Sequence, residues 1–288
     1  MWISDGWKDY ELLDCSGGEK LERWGDYILR RPDPQVIWDT GFDRAWDRAD
    51  AVYRRSASGG GRWTRSNVPE SWTIAYDGLK FNVKLMNFKH TGIFPEQASN
   101  WDFIRDRVKK AGRVLKILNL FAYTGAATVA AAEAGAEVCH VDAAKGMVAW
   151  AKDNAALSGL SDRPIRWIVD DCRKFVEKEI RRGKRYDAVI MDPPSYGRGP
   201  SGEIWKLEDS LFDFLRLCAG VLSDKPDFVL ISSYTTGLSP SVLTYLGNTV
   251  FSEKYPGSCR SEELGLRVGK SGLVLPCGSA CRWTCDSL

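Results

Sequence analysis

Residues 116–134, KILNLFAYTGAATVAAAEA, decide how the rest of the chain is read. A short apolar run, Ile117–Leu120, stops at a polar-aromatic turn that ends on Thr124 and Gly125. An Ala-rich segment of strong helix propensity follows at once. The pattern predicts buried strand, tight turn and helix, with Thr124 as the helix N-cap. Such a unit opens a βαβ fold and puts a ligand at the C-terminal end of its strand.

What the turn lacks narrows the ligand. A dinucleotide fingerprint, G-x-G-x-x-G, brings backbone close to a pyrophosphate at a helix N-terminus. Here a single glycine, Gly125, stands behind Phe121 and Tyr123, which would obstruct that approach, and a Walker loop is absent as well. The turn suits a nucleoside-like ligand without phosphate, and S-adenosylmethionine is the commonest such cofactor. Asp142 closes the next predicted strand, seventeen residues past Gly125, where an acid can accept from both ribose hydroxyls.

The chain's 288 residues leave room for one large α/β domain and a smaller one. Hydrophobic content of 44% and charged content of 27% are those of a folded protein. No apolar run reaches ~18 residues, so no membrane span is expected. The acidic, aromatic start, MWISDGWKDYELLD, is unlike a signal peptide. The eight cysteines show no framework spacing and are expected as reduced thiols in a cytoplasmic setting. Cys277, Cys281 and Cys285 repeat every fourth residue, but no C-x-x-C pair or nearby histidine completes a set, so no metal is expected. The net charge of +2 means that any RNA contact must come from local patches; oligomeric state is open.

Residues 1–87 alternate short apolar runs with turns and predict a small β-rich domain, followed by an α/β domain over 88–288. Within the first, RRSASGGGRWTR (54–65) holds Arg54, Arg55, Arg62 and Arg65 with Trp63 and no acid. This is either a solvated hairpin loop or a surface that puts arginines on phosphates and stacks Trp63 on a base. Asp77-Gly78 predicts a hairpin turn between Trp72–Tyr76 and Lys80–Met86. The polar loop before the first core strand offers Phe94, Glu96 and Gln97 to cover a cofactor. Seven strands alternating with helices then predict an open, mostly parallel sheet.

Asp192-Pro193-Pro194-Ser195-Tyr196 ends the fourth core strand and faces the same crevice as Gly125 and Asp142. Its prolines fix the backbone and leave carbonyls as acceptors beside a carboxylate, a set that holds a flat donor group, while Tyr196 stacks on a flipped base. Asp171 and Cys172 end the third strand, where the carboxylate can take an adenine amino group and a backbone N–H the ring; Asp170 is the rival acid, and either can instead cap the next helix.

NLFAYTG, VDAAKGMVAWAKDNA, DDCRKFV and MDPPSYGRG, in this order and spacing, resemble the Rossmann-like S-adenosylmethionine-dependent methyltransferases. More narrowly they resemble the bacterial 23S ribosomal RNA methyltransferases that modify cytosine or guanine, and YELLDCSGGEKLERWG, GLKFNVKL, FKHTGIFPEQASNW and SEELGL extend the likeness over nearly the whole chain. The resemblance implies a seven-stranded sheet and a cofactor site lined by Asn119, Phe121, Tyr123, Thr124 and Gly125. It implies Asp142 on ribose, Asp171 and Cys172 near adenine, Phe94 and Gln97 at the methionine end, and Asp192 at the target base of a ribosomal RNA. One departure matters. Members that make 5-methylcytosine carry a cysteine after the fifth strand, because carbon 5 needs a thiolate adduct to become nucleophilic. Here that place reads Ile231-Ser232-Ser233-Tyr234, which favours a nitrogen, most of all on guanine. A small-molecule or protein methyltransferase is the rival enzyme, and it would have no need of the arginine loop. A binding protein with a decayed pocket is disfavoured by the intact Asp142, Asp171 and Asp192, and an NAD enzyme by the missing phosphate cradle.

Overall fold

The computed structural model describes residues 1–56, 60–65, 67–198 and 204–285. They divide into two compact units: Met1–Ser99 with Leu264–Cys277, and Asn100–Glu263 with the chain from Gly278 onward. No helix among the described residues is long and apolar enough to cross a membrane.

The second unit has the expected alternation. Its strands are β1 (Lys116–Leu120), β2 (Glu137–Asp142), β3 (Ile165–Val169), β4 (Ala188–Met191), β5 (Phe228–Ser233) and the parts of β6 (Gly257–Arg267) up to Glu263 and of β7 (Val274–Cys285) from Gly278, the remainder of both lying in the first unit. Between them run α1 (Ala98–Lys110, before β1), α2 (Ala126–Glu133), α3 (Lys145–Leu157), α4 (Cys172–Arg181), α5 (Leu207–Ala219) and α6 (Pro240–Gly247). The lateral order is β3-β2-β1-β4-β5-β7-β6. β1 to β5 pair in parallel, and β7 runs antiparallel to β5. Ile117–Leu120 and all of β4 and β5 are buried, as helices on both faces require. The chain order reverses between β1 and β4, so a crevice opens at their C-terminal ends.

The first unit contains a five-stranded sheet built from Tyr10–Ser16, Glu19–Trp24, Tyr27–Pro32, Ala51–Arg55 and Gly61–Arg65. The Asp77-Gly78 hairpin forms as the sequence predicts: both turn residues take positive φ, 42° and 86°, the geometry that matches the twist of the flanking strands. Trp2–Ile3 pairs in parallel with β6 at Leu264 and Gly265, giving the large sheet an eighth strand beyond the seven expected. Residues 88–99 also stay in this unit rather than opening the next domain. Backbone bonds tie them back: Lys84 N–H donates to Thr91 O, Arg31 donates to Lys89 O, and the Ser4 hydroxyl donates to Glu96 O.

Inside this unit Glu22 is fully buried among cations. Arg31 donates to both carboxylate oxygens (2.5 and 3.0 Å), Lys20 lies 3.4 Å away, and the Tyr10 hydroxyl donates at 2.7 Å. Burial alone would raise the Glu22 carboxyl, but Arg31 and Lys20 overcome it and hold it down at about 2. A carboxyl depressed in the folded state stabilises the fold above its unfolded value, and that stability is lost as pH falls through the folded value. The unfolding free energy from urea titrations should therefore drop between pH 4.5 and pH 2, by on the order of 2–3 kcal/mol from this group. Glu22→Gln should be less stable at pH 7, since Arg31 loses its charge partner, and should lose less on acidification. Parallel pH profiles for the two proteins would contradict the assignment.

Candidate active site

The turn after β1 is held in a conformation that its residues disfavour. Phe121 and Tyr123 sit at φ 54° and 50°, the left-handed region, and Gly125 at 81°. For a bulky residue that geometry costs about 1–2 kcal/mol, and such strain collects at binding sites. Successive N–H groups of the turn are each given a partner by the neighbouring strand ends. Phe121 N–H donates to the Cys172 sulfur (3.2 Å), Ala122 N–H to Val141 O (3.1 Å) and Tyr123 N–H to Asp142 Oδ2 (2.9 Å). Gly125, not Thr124, occupies the cap position of α2, and no side chain caps the helix. Thr124 is instead buried, its carbonyl accepting from the Asn154 amide at 2.8 Å. The chain enters α2 from a left-handed residue, which leaves no place for a β-region cap.

Below the turn lies a buried polar chain. Asn119 donates to the Thr128 hydroxyl (2.9 Å), which lies 2.9 Å from His140 Nδ1. Burial pushes the imidazole down to about 3, so it is neutral and can accept from that hydroxyl. Asn119 thus supports the turn from the strand side.

Around the crevice, Asp142 accepts from Tyr123 N–H through one oxygen and from Ala144 N–H through the other (2.8 Å). Each carboxylate oxygen has a second lone pair, so the group can take two more donors. Asp171 caps α4, accepting from Lys174 N–H at 2.9 Å, while Asp170 is tied up by Lys178 at 2.6 Å. Both acids are half-buried, and the capping role falls on Asp171. Cys172 is buried, and burial pushes its thiol far up, as it does for Cys218 in α5.

Beyond β4, Pro193 is buried and Tyr196 is 52% exposed. The Pro194 carbonyl does not stand free as the sequence reading supposed: the Trp205 indole N–H donates to it at 2.6 Å. Trp205 lies in Ile204–Lys206, which forms a small hairpin with Tyr196–Arg198, and its ring meets Phe121 (5.7 Å) and Phe214 (5.6 Å). Sequence reading missed this residue; an aromatic flanked by Ile204 and Lys206 just before α5 was the available signal. Gly199 of the MDPPSYGRG motif lies outside the described residues. Ser232 and Ser233, expected to follow the fifth strand, are its last two residues, paired with Ala280 and Ser279 of β7, and are buried.

Other expected residues belong to the first unit. Phe94 packs edge-on to His90 (5.3 Å) and precedes a 3-10 turn, Pro95–Gln97, in which Glu96 is buried. Arg54, Arg55 and Arg62 are exposed, and Arg54 pairs with Arg62 across the hairpin. Trp63 is half-buried, edge-on to Tyr53 (5.4 Å) and donating to Phe88 O (3.0 Å); Phe88 itself is 60% exposed. Residues 57–59 and the Arg65 side chain lie outside what is described.

A parallel sheet with a phosphate-free nucleoside turn and an acid closing each of the next two strands defines a class. The chain belongs to the S-adenosylmethionine-dependent methyltransferases, whose family profile matches residues 33–210. Within that class it is similar over 98% of its length, at 40% identity and a TM-score of 0.91, to the S-adenosylmethionine-dependent methyltransferase of Agrobacterium tumefaciens, of which it covers 92%. It is also 30% identical over 202 residues, 70% of the chain, to the ribosomal RNA large subunit methyltransferase K/L of Colwellia psychrerythraea. The corresponding Shewanella baltica protein is 35% identical over 147 residues, 51% of the chain. The chain spans 25% and 19% of the length of these two relatives.

Gly125→Ala tests the turn. A Cβ there would lie 2.7 Å from the Ala151 Cβ as well as in a left-handed conformation. The variant should lose roughly 2–4 kcal/mol in urea unfolding, with cofactor binding weakened in proportion to the displaced turn. A loss under about 0.5 kcal/mol, the range of a neutral surface change, would contradict the turn geometry.

Proposed function

We propose that this methyltransferase modifies a nitrogen of a base in ribosomal RNA, guanine above cytosine, without a covalent enzyme–RNA adduct. The observation that carries the reading is the chemistry around Asp192. Asp192 and its proline turn follow β4, whose C-terminal end borders the crevice, and the Cys172 and Cys218 thiols are buried and pushed up by that burial. Carbon-5 methylation needs a thiolate to add to the ring. Ser232 and Ser233 stand in that position and are buried, and Cys172 and Cys218 have thiols pushed up by burial. Nitrogen methylation needs alignment and desolvation only.

Bound S-adenosylmethionine supplies a methyl group on a positively charged sulfur. Asp142 takes the ribose hydroxyls with the lone pairs left over from Tyr123 and Ala144. Asp171 takes the adenine amino group, and Cys172 N–H serves the ring. Phe121, Tyr123, Thr124 and Gly125 shape the nucleoside pocket above Asn119, and Phe94 and Gln97 serve the methionine end. Asp192 and the Pro193 carbonyl hold the N–H donors of guanine so that its nitrogen lone pair is directed at the methyl group, while Pro194 stiffens the turn and Tyr196 stacks on the base. The names of the Colwellia and Shewanella relatives support an RNA substrate, and the exposed Arg54, Arg55 and Arg62 support it independently. Trp63 and Arg65 belong to the same RNA-facing hairpin, and the exposed Phe88 neighbours Trp63. Ribosomal RNA as substrate implies action in the cytoplasm.

Asp192→Ala should cut turnover by ~10²-fold or more through lost alignment, with cofactor affinity within a few fold of the parent. Cys172→Ser and Cys218→Ser should stay within a few fold in turnover. RNA containing 5-fluorocytidine, incubated with the protein and cofactor and run on a denaturing gel, should give no shifted band. A trapped adduct would overturn the nitrogen reading.

A further inference from the structure

The N-terminal edge of the same sheet carries a cavity that plays no part in the crevice. It has a volume of about 540 Å³ and is lined where β1, β2 and β3 begin and where the chain leaves α4. Lys116 starts β1 and the turn starts after Leu120, so strand length separates the two regions by about 15 Å. Four cations line it, Lys116, Arg166, Lys184 and Arg185, against one carboxylate, Glu137. All five are exposed. Arg166 is held by Glu179 at 3.3 Å. Lys116, Lys184 and Arg185 have no carboxylate partner among the described residues, whereas Arg107 and Arg113 of the same unit are paired with Asp227 and Asp187.

The fold puts Lys184 and Arg185 there for a local reason. Gly183, at φ 65°, ends α4, with Gly183 N–H donating to Ile180 O and Lys184 N–H to Glu179 O. This closure satisfies the last carbonyls of the helix and turns the next two side chains away from it. The helix end is therefore served by backbone, and the two cations are not required to cap it. The floor of the cavity is apolar, made by Val138, Cys139 and Ile165. An apolar floor with a cationic rim, at a volume inside the usual range for small-ligand sites, fits a group larger than a bare phosphate.

We infer that this cavity binds a nucleotide, with its phosphate on Lys116, Lys184 and Arg185 and its base and sugar on the floor. The nucleotide is either free or one unit of an RNA strand. The inference does not depend on the RNA reading above, because a free nucleotide satisfies the same chemistry.

The test uses the full chain with its cofactor site saturated by S-adenosylhomocysteine, so that nucleotides are not drawn there. Uridine 5′-monophosphate, uridine and a short single-stranded RNA are titrated by calorimetry into the parent and into Lys184→Ala/Arg185→Ala. Both side chains are exposed, so the variant should keep the parent's urea midpoint. Uridine monophosphate binding that uridine does not share, weakened about tenfold or more in the variant, supports the site with a free nucleotide. RNA affinity weakened to that extent, with a salt slope shallower by about 0.7 for each phosphate no longer neutralised, supports it with a strand phosphate. Equal affinity for uridine and its monophosphate, or parent and variant alike toward both the monophosphate and RNA, overturns it. A parent that binds the monophosphate but no RNA removes the RNA reading and leaves the cavity standing.

Discussion

Two aromatic residues forced into the left-handed region, and held there by the ends of two neighbouring strands, are the constraint on which the active-site edge depends. Phe121 and Tyr123 carry a conformational penalty of about 1–2 kcal/mol each. Three hydrogen bonds at about 1 kcal/mol apiece offset it only when β2 and α4 are already in place. The acceptors are Val141 O and Asp142 on β2 and the Cys172 sulfur at the start of α4. Parallel pairing puts Val141 opposite Leu120, so the Asp142 carboxylate falls one residue further on, against the turn. The turn is thus a consequence of sheet register, and the same carboxylate that fixes it is the one proposed to receive a ribose.

That double use explains the surroundings. Gly125 is needed because α3 approaches so closely at Ala151 that a Cβ has no room, which sets the start of α2 against the middle of α3. The Cys172 sulfur acts as a buried acceptor, which accounts for a cysteine near the cofactor edge without assigning it reactivity. On the other side, Trp205 joins the two halves of the edge. Its indole N–H holds the proline turn, and its ring rests on Phe121. The turn after β1 and the proline turn after β4 therefore share one aromatic cluster, completed by Phe214.

How much of this was legible depends on the range of the interaction. The βα repeat was readable because strands buried on both faces are short apolar runs, and the Asp77-Gly78 hairpin because its turn chemistry is local. Thr124 looked like a cap by residue type, and its burial follows from Asn154, thirty residues away. The bond from Trp205 to Pro194 spans the segment 199–203 and leaves no trace in either motif. The same holds for residues 88–99, which sequence reading joins to the following domain as a loop over its ligand end and which Ser4 and Arg31 tie to the first unit. Acids at strand ends, Asp142 and Asp171, were found by position, but their backbone duties needed coordinates.

The central claim is that an edge built on a strained turn, with Asp192 after β4 and the Cys172 and Cys218 thiols buried, methylates a base nitrogen. The most direct measurement is nucleoside mass spectrometry of ribosomal RNA from cells with and without the gene, with the missing modification restored by purified protein and methyl-labelled cofactor. The account predicts a labelled N-methylguanosine that is absent without the gene. A labelled 5-methylcytidine, or ribosomal RNA identical in both cells, would contradict it.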